Sequence, residues 1–218
     1  ARLILRNRIF ILVLVLLTTG FFSMQWNNMR FTYTEANLLP DDHPINLEYN
    51  NFLDIFGEEG NLIVVGIKDS TLLTVEKLNA WNAFSKSFNK HPNVDAVIAI
   101  KDLQKLVKNE HKKQFDLIPF IKDSIQTQSE VNALKKVLFE EYPFYDNILF
   151  NKETEAVRTA IYLDKSIVNT SERKAFIETV LTPKVNAFEK AYDLDVRVSG
   201  MPYVRTLNSQ NIVDEISM

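Results

Sequence analysis

Residues 61–68 read Asn-Leu-Ile-Val-Val-Gly-Ile-Lys, a short apolar run dominated by β-branched side chains. Such a run, bounded by turn-forming residues, predicts a buried β-strand. Residues 94–100 and 155–163 have the same character, and residues 195–199 alternate as Asp-Val-Arg-Val-Ser. We therefore predict four strands, with residues 148–151 as a short hairpin partner of the third.

Two amphipathic helices are predicted between these strands. The first covers residues 74–90, and the second covers residues 170–192, where Pro183 is expected to cause a kink. Strand–helix–strand followed by strand–helix–strand is the split βαβ pattern of a ferredoxin-like sandwich. The predicted fold class is therefore α+β, with a ferredoxin-like domain built from residues 61–100 and 147–200.

Residues 101–146 separate the two halves and are predicted to form a helical insertion. Its helices are expected at residues 101–108, 115–121 and 129–141. The first part is rich in lysine (Lys105, Lys108, Lys112 and Lys113), a pattern that could meet anionic lipid headgroups. A solvated helix face is the interpretation that this pattern favours.

An aromatic cluster closes the insertion, and its members are Phe139, Tyr142, Phe144, Tyr145 and Phe150. Such a cluster could line a path for an apolar ligand. The favoured interpretation is the local core of a small subdomain.

The N-terminal region contains an uncharged run from Ile9 to Met29, preceded by Arg2, Arg6 and Arg8 and followed by Arg30. Twenty-one helical residues would extend about 31 Å, the thickness of a bilayer's hydrocarbon layer. The sequence therefore predicts one transmembrane helix.

A cleaved signal peptide is the alternative for this run, but no Ala-x-Ala-like site follows it, and Trp26 stands where an interfacial anchor belongs. The early arginines predict a cytoplasmic N-terminus, with residues from about 31 onward on the periplasmic side of a bacterial inner membrane.

Charge and composition exclude several classes of function. The chain has 218 residues and a net charge of −3, and because three arginines precede Ile9, the remainder carries −6. An acidic domain argues against binding nucleic acid. The absence of cysteine excludes disulfides, thiolate metal sites and a cysteine nucleophile.

No catalytic, cofactor-binding or metal-ligating residues are predicted. His43, His91 and His111 are scattered, and no pair has the spacing of helix-borne zinc ligands. The Asp41-Asp42-His43 segment is interpreted as a turn rather than a metal site. The Asn169-Thr170-Ser171 sequon is interpreted as a chance match. No glycine-rich phosphate loop or serine elbow is present, so the protein is not expected to be an enzyme.

The order of several landmarks resembles the N-terminal part of resistance–nodulation–division (RND) permeases, in the MMPL-type branch that includes hopanoid and mycolate-lipid transporters. In that family a first transmembrane helix leads to a Leu-Pro-x-Asp-His-Pro turn and a helix ending in Phe-Gly. A Gly-x-Pro then precedes the second transmembrane helix. The matching residues here are Leu39, Pro40, Asp42, His43, Pro44, Phe56, Gly57, Gly200 and Pro202.

The resemblance implies the N-terminal part of an inner-membrane, proton-driven exporter of lipids or other hydrophobic or amphiphilic molecules. Residues 1–30 would be its cytoplasmic start and first membrane helix, residues 31–60 an exit turn and connecting helix, and the ferredoxin-like domain a periplasmic porter unit. Residues 201–218 would lead toward a second span. The family differs in size, because its permeases have two repeats of six helices and two extracytoplasmic domains.

The resemblance also implies the partners. They are the lipid bilayer, the remainder of a longer polytopic polypeptide, a hydrophobic or lipid-like substrate, and further copies or envelope proteins. The run at residues 9–29 has no ionisable side chain, so proton coupling is expected elsewhere. The Ala1 start and the helical pattern running to Met218 are expected for a piece of a longer protein.

Two alternatives remain open at this stage. One is a single-pass, membrane-anchored periplasmic binding or scaffold protein that uses the ferredoxin-like domain for partner contact. The other is an anchored enzyme, which is weaker because no acid/base pair or nucleophile stands out.

Overall fold

A computed structural model describes residues 6–25, 39–40, 42–56, 60–121 and 123–217. Its contacts divide the chain into two units, Ala1–Ala36 and Asn37–Met218.

In the first unit the structure describes residues 6–25, which contain helix α1 (Arg8–Met24), with seventeen residues and no buried side chain. The predicted fold class is wrong here. Within the described ranges, no helix has both the length and the apolar character needed to cross a membrane. The physical reason is length, since seventeen helical residues extend about 26 Å, less than the roughly 30 Å of a hydrocarbon core. Trp26 and Arg30, the predicted anchor and boundary, lie outside the described residues.

The second unit alternates helices and strands. Its helices are α2 (Pro44–Phe56), α3 (Val75–Lys86), α4 (Gln128–Lys136), α5 (Ser171–Phe176), α6 (Thr182–Tyr192) and α7 (Met201–Ser217). Its strands are β1 (Leu62–Ile67), β2 (Val94–Ile98), β3 (Gln104–Asn109), β4 (Gln114–Pro119), β5 (Phe150–Asn151), β6 (Ala156–Leu163) and β7 (Val196–Ser199).

The main sheet has the strand order β2-β6-β1-β7, and every neighbouring pair is antiparallel. β1 and β6 form its centre, with Ile63 opposite Ile161 and Val65 opposite Thr159. The short β5 extends the sheet beside β6 by pairing Phe150 with Val157. Helices connect β1 to β2 and β6 to β7, so two β-α-β units interlock in one sheet.

One face of this sheet carries the hydrophobic core. Along β1 and β6 alternate side chains are completely buried, because successive residues of a strand point to opposite faces. Helices α3 and α6 cover that face with packed aromatic rings. Trp81 stacks on Phe84 with ring centroids 5.1 Å apart, and Phe188 contacts both rings at 5.6 and 5.0 Å.

The insertion is not a helical one, which is a second correction to the predicted fold class. Residues predicted as two helices instead form the strands β3 and β4, which pair with each other as a separate two-stranded sheet. The third predicted helix exists as α4, followed by a π-helical turn at Val137–Glu141. The lysines that suggested a helix surface, Lys105 and Lys108, fall on opposite faces of β3, and pairing with β4 rather than a local period of two forms this strand.

The predicted helix at residues 170–192 is also interrupted. α5 ends at Phe176, a π-helical turn follows at Ile177–Leu181, and α6 begins at Thr182 with Pro183 in its first turn. Proline has no backbone N–H to donate, so it is tolerated in a first turn, and the widened turn before it absorbs the break.

Gly200 lies between the end of β7 and the start of α7, and its backbone passes close to the backbone of β1. Gly200 has φ +116°, and a Cβ built on it would lie 2.2 Å from the carbonyl oxygen of Leu62 on β1. Only glycine fits this position without moving the backbone, because an L side chain is strained at that φ and would also collide. The residue therefore sets where α7 leaves the sheet.

We expect Gly200→Ala to lower the free energy of unfolding of the full chain by at least about 2 kcal/mol, through strain and collision with β1. Urea denaturation followed by circular dichroism measures this. Gly66→Ala is the matched control, because its Cβ would first meet the flexible side chain of Arg158 at 3.2 Å. An equal loss in both variants would contradict the role assigned to Gly200.

A buried hydroxyl pair links α3 to the central strand β6. The side-chain oxygens of Ser85 and Thr159 are 2.7 Å apart, and both residues are buried. Thr159→Val keeps the shape but leaves the Ser85 hydroxyl without this partner, so we expect a loss of about 1–3 kcal/mol in unfolding free energy. Adding Ser85→Ala should restore part of that loss. Strict additivity of the two substitutions in chemical denaturation would show that the pair is not coupled.

Candidate functional site

The β3–β4 hairpin presents two chemically different faces. Because paired residues of an antiparallel ladder share a face, Leu106, Lys108, Phe115 and Leu117 lie on one side. Lys105, Val107 and Ile118 lie on the other side, with Asn109, Gln114 and Asp116. We call these the outer face and the inner face, respectively.

Hydrogen bonds at the turn end of the hairpin hold the conformation of the turn. Asp116 accepts from the Asn109 amide at 2.7 Å and from the Gln114 amide at 2.8 Å. These two hydrogen bonds hold the pKa of the Asp116 carboxyl below its ordinary value, and the one from Asn109 has the larger effect. Asn109 also accepts from the backbone N–H of Lys112, and Lys113 takes a left-handed φ of 51°. The turn conformation is therefore fixed from the inner face.

Helix α4 begins with a reciprocal cap. The Thr127 hydroxyl accepts from the Glu130 backbone N–H at 3.3 Å, while the Glu130 carboxylate accepts from the N–H groups of Thr127 and Gln126. Such a capping box satisfies backbone donors that the helix leaves unpaired. The segment before the cap is anchored to α3 by Asn79, which donates to the Ile125 carbonyl at 2.7 Å and accepts from its N–H at 3.0 Å.

A groove of about 960 Å³ lies between the inner face of the hairpin, the segment that follows it, and α4. Nine of its lining residues are apolar: Val107, Ile118, Pro119, Phe120, Ile121, Ile125, Ala133, Leu134 and Val137. The other five are Lys105, Asp123, Ser124, Gln126 and Glu130. A mostly apolar lining with a few polar groups is typical of sites that bind small molecules.

The described carboxyls whose pKa is displaced lie outside the groove. The described carboxyls with a displaced pKa are Asp69, Asp116 and Asp164, and hydrogen bonds accepted within their own turns lower all three. None of the three lines the groove. Within the described ranges, no three histidine or acidic side chains come close enough together to hold a metal ion. The arrangement can enclose an apolar body and contact a polar end through Lys105 or the two carboxylates.

The three histidines noted in the sequence lie in separate turns or bends. His43 Nδ1 accepts from the backbone N–H of Ile45 at 3.3 Å, within the turn that begins α2, and Asp41 lies outside the described residues. His91 Nδ1 accepts from the N–H of Asn93, and its ring packs on Phe176. His111 is exposed in the hairpin turn.

The aromatic cluster predicted from the sequence is divided between environments. Phe150 is fully buried with its ring 5.3 Å from that of Phe139, and Tyr142 packs edge-on against Phe120. Phe144, by contrast, is exposed. Phe150 belongs to the core, and Phe139 and Tyr145 pack against it. None of the five predicted aromatic residues lines the groove, although Phe120, the neighbour of Tyr142, does. Asn169 of the sequon accepts from the guanidinium of Arg205 at 3.3 Å.

Sequence reasoning missed the groove because it assigned both of its flanking strands to helices. The local signal was weak, because Phe115, Asp116 and Leu117 alternate between apolar and polar but Ile118 breaks the alternation. The lysines in the preceding segment drew attention to charge instead.

No protein-family model matches this chain, and no curated protein sequence matches it.

We expect Asp116→Asn to loosen the hairpin, because an amide offers one oxygen to two donors. The carboxylate contributes its full stabilisation above the ordinary aspartate pKa, and this contribution is lost as pH falls through the lowered pKa of the folded state. Amide hydrogen exchange across β3 and β4 should therefore be faster in the variant at neutral pH. The two proteins should converge in acid.

Glu110→Gln is the control, since it removes the same charge from the same turn and disturbs only an exposed ion pair with Lys108. Faster exchange in this control, or an unchanged rate in Asp116→Asn, would contradict the assignment. Exchange in β1 serves as the internal reference.

Proposed function

We propose that residues 60–217 form the extracytoplasmic, substrate-contacting unit of a proton-driven exporter of the RND superfamily, in its MMPL-type branch. The exported molecules are lipids or other hydrophobic or amphiphilic compounds, which this unit contacts on the periplasmic side of a bacterial inner membrane. The proposal assigns no enzymatic step to the chain.

The observation that carries the proposal is the groove between the hairpin and α4. Its nine apolar lining residues would remove an acyl or isoprenoid segment from water, with a gain of about 25 cal/mol for each Å² of apolar surface buried. Lys105, Asp123 and Glu130 provide charged groups at the same groove for a polar end. An amphiphile therefore fits this lining better than a fully polar molecule.

Two landmarks of the resemblance also support the proposal, because each has a defined structural task. In the turn before α2, the His43 N–H donates to the Pro40 carbonyl at 3.0 Å, and the Asn46 side chain donates to the same carbonyl at 3.3 Å. Gly200 permits the close contact between β1 and the chain entering α7. Gly57, a further landmark, lies outside the described residues.

We expect Ala133→Trp to weaken binding of a fluorescent lysophospholipid to the full chain by about tenfold or more, because the indole would occupy the groove. Ala133 is an exposed lining residue, so the substitution should leave the fold intact. Asn132→Trp is the matched control on the same helix, since Asn132 does not line the groove. Fluorescence titration below the micellar concentration measures both, and equal affinities would contradict binding in the groove.

Photo-crosslinking in the cell that makes this protein distinguishes the exporter proposal from the scaffold alternative. A photo-crosslinking residue at position 133 should form an adduct with the mass of a lipid or another small apolar molecule. A specific adduct with another protein would instead favour the scaffold function. The same residue at position 132 controls for random capture.

A further inference from the structure

The outer face of the β3–β4 hairpin is apolar and exposed. Leu106 is 58% exposed, and Leu117 directly opposite it is 65% exposed. Phe115, two residues before Leu117, is 63% exposed and shares the face. Three large apolar side chains at one place on a domain surface indicate a binding surface rather than scattered exposure.

Basic groups border this apolar patch. Phe115 lies in one shallow depression of about 380 Å³ together with Lys108, Lys113, Glu110 and Gln114. Lys112 is exposed in the same turn. Residues 104–119 contain four lysines, of which Lys105 lies on the inner face, and two acidic residues. Their net charge is +2, whereas that of the whole chain is −3. The hairpin therefore differs in sign from the protein as a whole.

The negative groups of the hairpin do not offset this charge on the outer face. Asp116 lies on the inner face, where Asn109 and Gln114 hold its carboxylate. Glu110 is the remaining acid, and its contact with Lys108 at 3.4 Å is an exposed pair. Such pairs neutralise each other only weakly in water.

We propose that the outer face of the hairpin docks on the surface of an anionic lipid bilayer. Leu106, Phe115 and Leu117 would enter the boundary between headgroups and acyl chains, while Lys108, Lys112 and Lys113 contact the anionic headgroups. Apolar side chains that insert, together with flanking lysines that attract the surface, are the two components of interfacial membrane binding.

A second copy of the chain fits this face less well. Two identical outer faces would bring their lysines together, and like charges repel at short range. Leu106, Phe115 and Leu117 do not line the groove, to which β3 and β4 contribute Lys105, Val107 and Ile118 from their opposite face and Pro119 at the strand end. The proposal therefore goes beyond the proposed function and does not depend on it.

The chain contains no cysteine, so one introduced cysteine carries one label. Leu117→Cys in the full chain, labelled with nitrobenzoxadiazole, reports the polarity around the hairpin. We expect its emission to shift to the blue and rise with vesicles of phosphatidylcholine mixed with phosphatidylglycerol, and to be quenched by brominated lipid. Lys108→Gln and Lys113→Gln in the labelled chain should each weaken the response roughly fivefold, and added salt should weaken it further.

Ile148→Cys, labelled in the same way, is the matched control, because Ile148 is an apolar residue of similar exposure outside the hairpin. No response at position 117, an equal response at position 148, or an equal response to neutral phosphatidylcholine vesicles would each overturn the proposal. A blue shift without vesicles that grows with protein concentration would assign the face to a second copy instead. Ala133→Trp, which tests the groove, should leave the vesicle response unchanged.

Discussion

The pairing of β1 with β6 at the centre of the main sheet is the constraint on which the rest of the second unit depends. Both strands have neighbours on each side, so their backbone groups are satisfied by the ladder. Their alternate side chains form a face that is apolar except for Thr159, and this face must be covered. The rings of Trp81, Phe84 and Phe188 meet that requirement, and the buried Ser85–Thr159 contact fixes α3 at one register on the sheet.

The insertion depends on this core in part. Ile121, Ile125, Val131 and Leu134 belong to the same buried cluster as the sheet, so α4 and the segment before it are held by the core. The hairpin is held differently, because among the described strands β3 and β4 pair with each other and with none of the main sheet. Its inner face forms one wall of the groove and its outer face is exposed. The same two-stranded hairpin thus lines the groove with one face and exposes apolar side chains to solvent on the other.

The sequence predicted the strands of the main sheet well, because buried strands require apolar, β-branched residues over a short run, as at residues 62–67. The prediction failed for β3, where Lys105 and Lys108 interrupt the apolar pattern. Hydrogen-bonded pairing with β4, which a local pattern does not indicate, stabilises this strand. The prediction of a membrane helix was wrong because an uncharged run of residues does not determine where a helix ends, and α1 ends at Met24. The groove arises from contacts between distant segments, such as Asn79 with Ile125, which no local pattern indicates.

The separation of the hairpin ladder from the main sheet has a consequence for how such a domain can change over time. Among the described strands, the main sheet makes no ladder hydrogen bond with β3 or β4. The hairpin segment begins after Leu103 and ends before Phe120, and the Phe120 N–H donates a hydrogen bond to the Leu103 carbonyl at 3.1 Å. Substitutions, or even a change of loop length, in this stretch therefore leave the strand register of the sheet intact. Recognition can diversify at the hairpin while the framework stays constant, as antibody loops vary on a fixed sandwich.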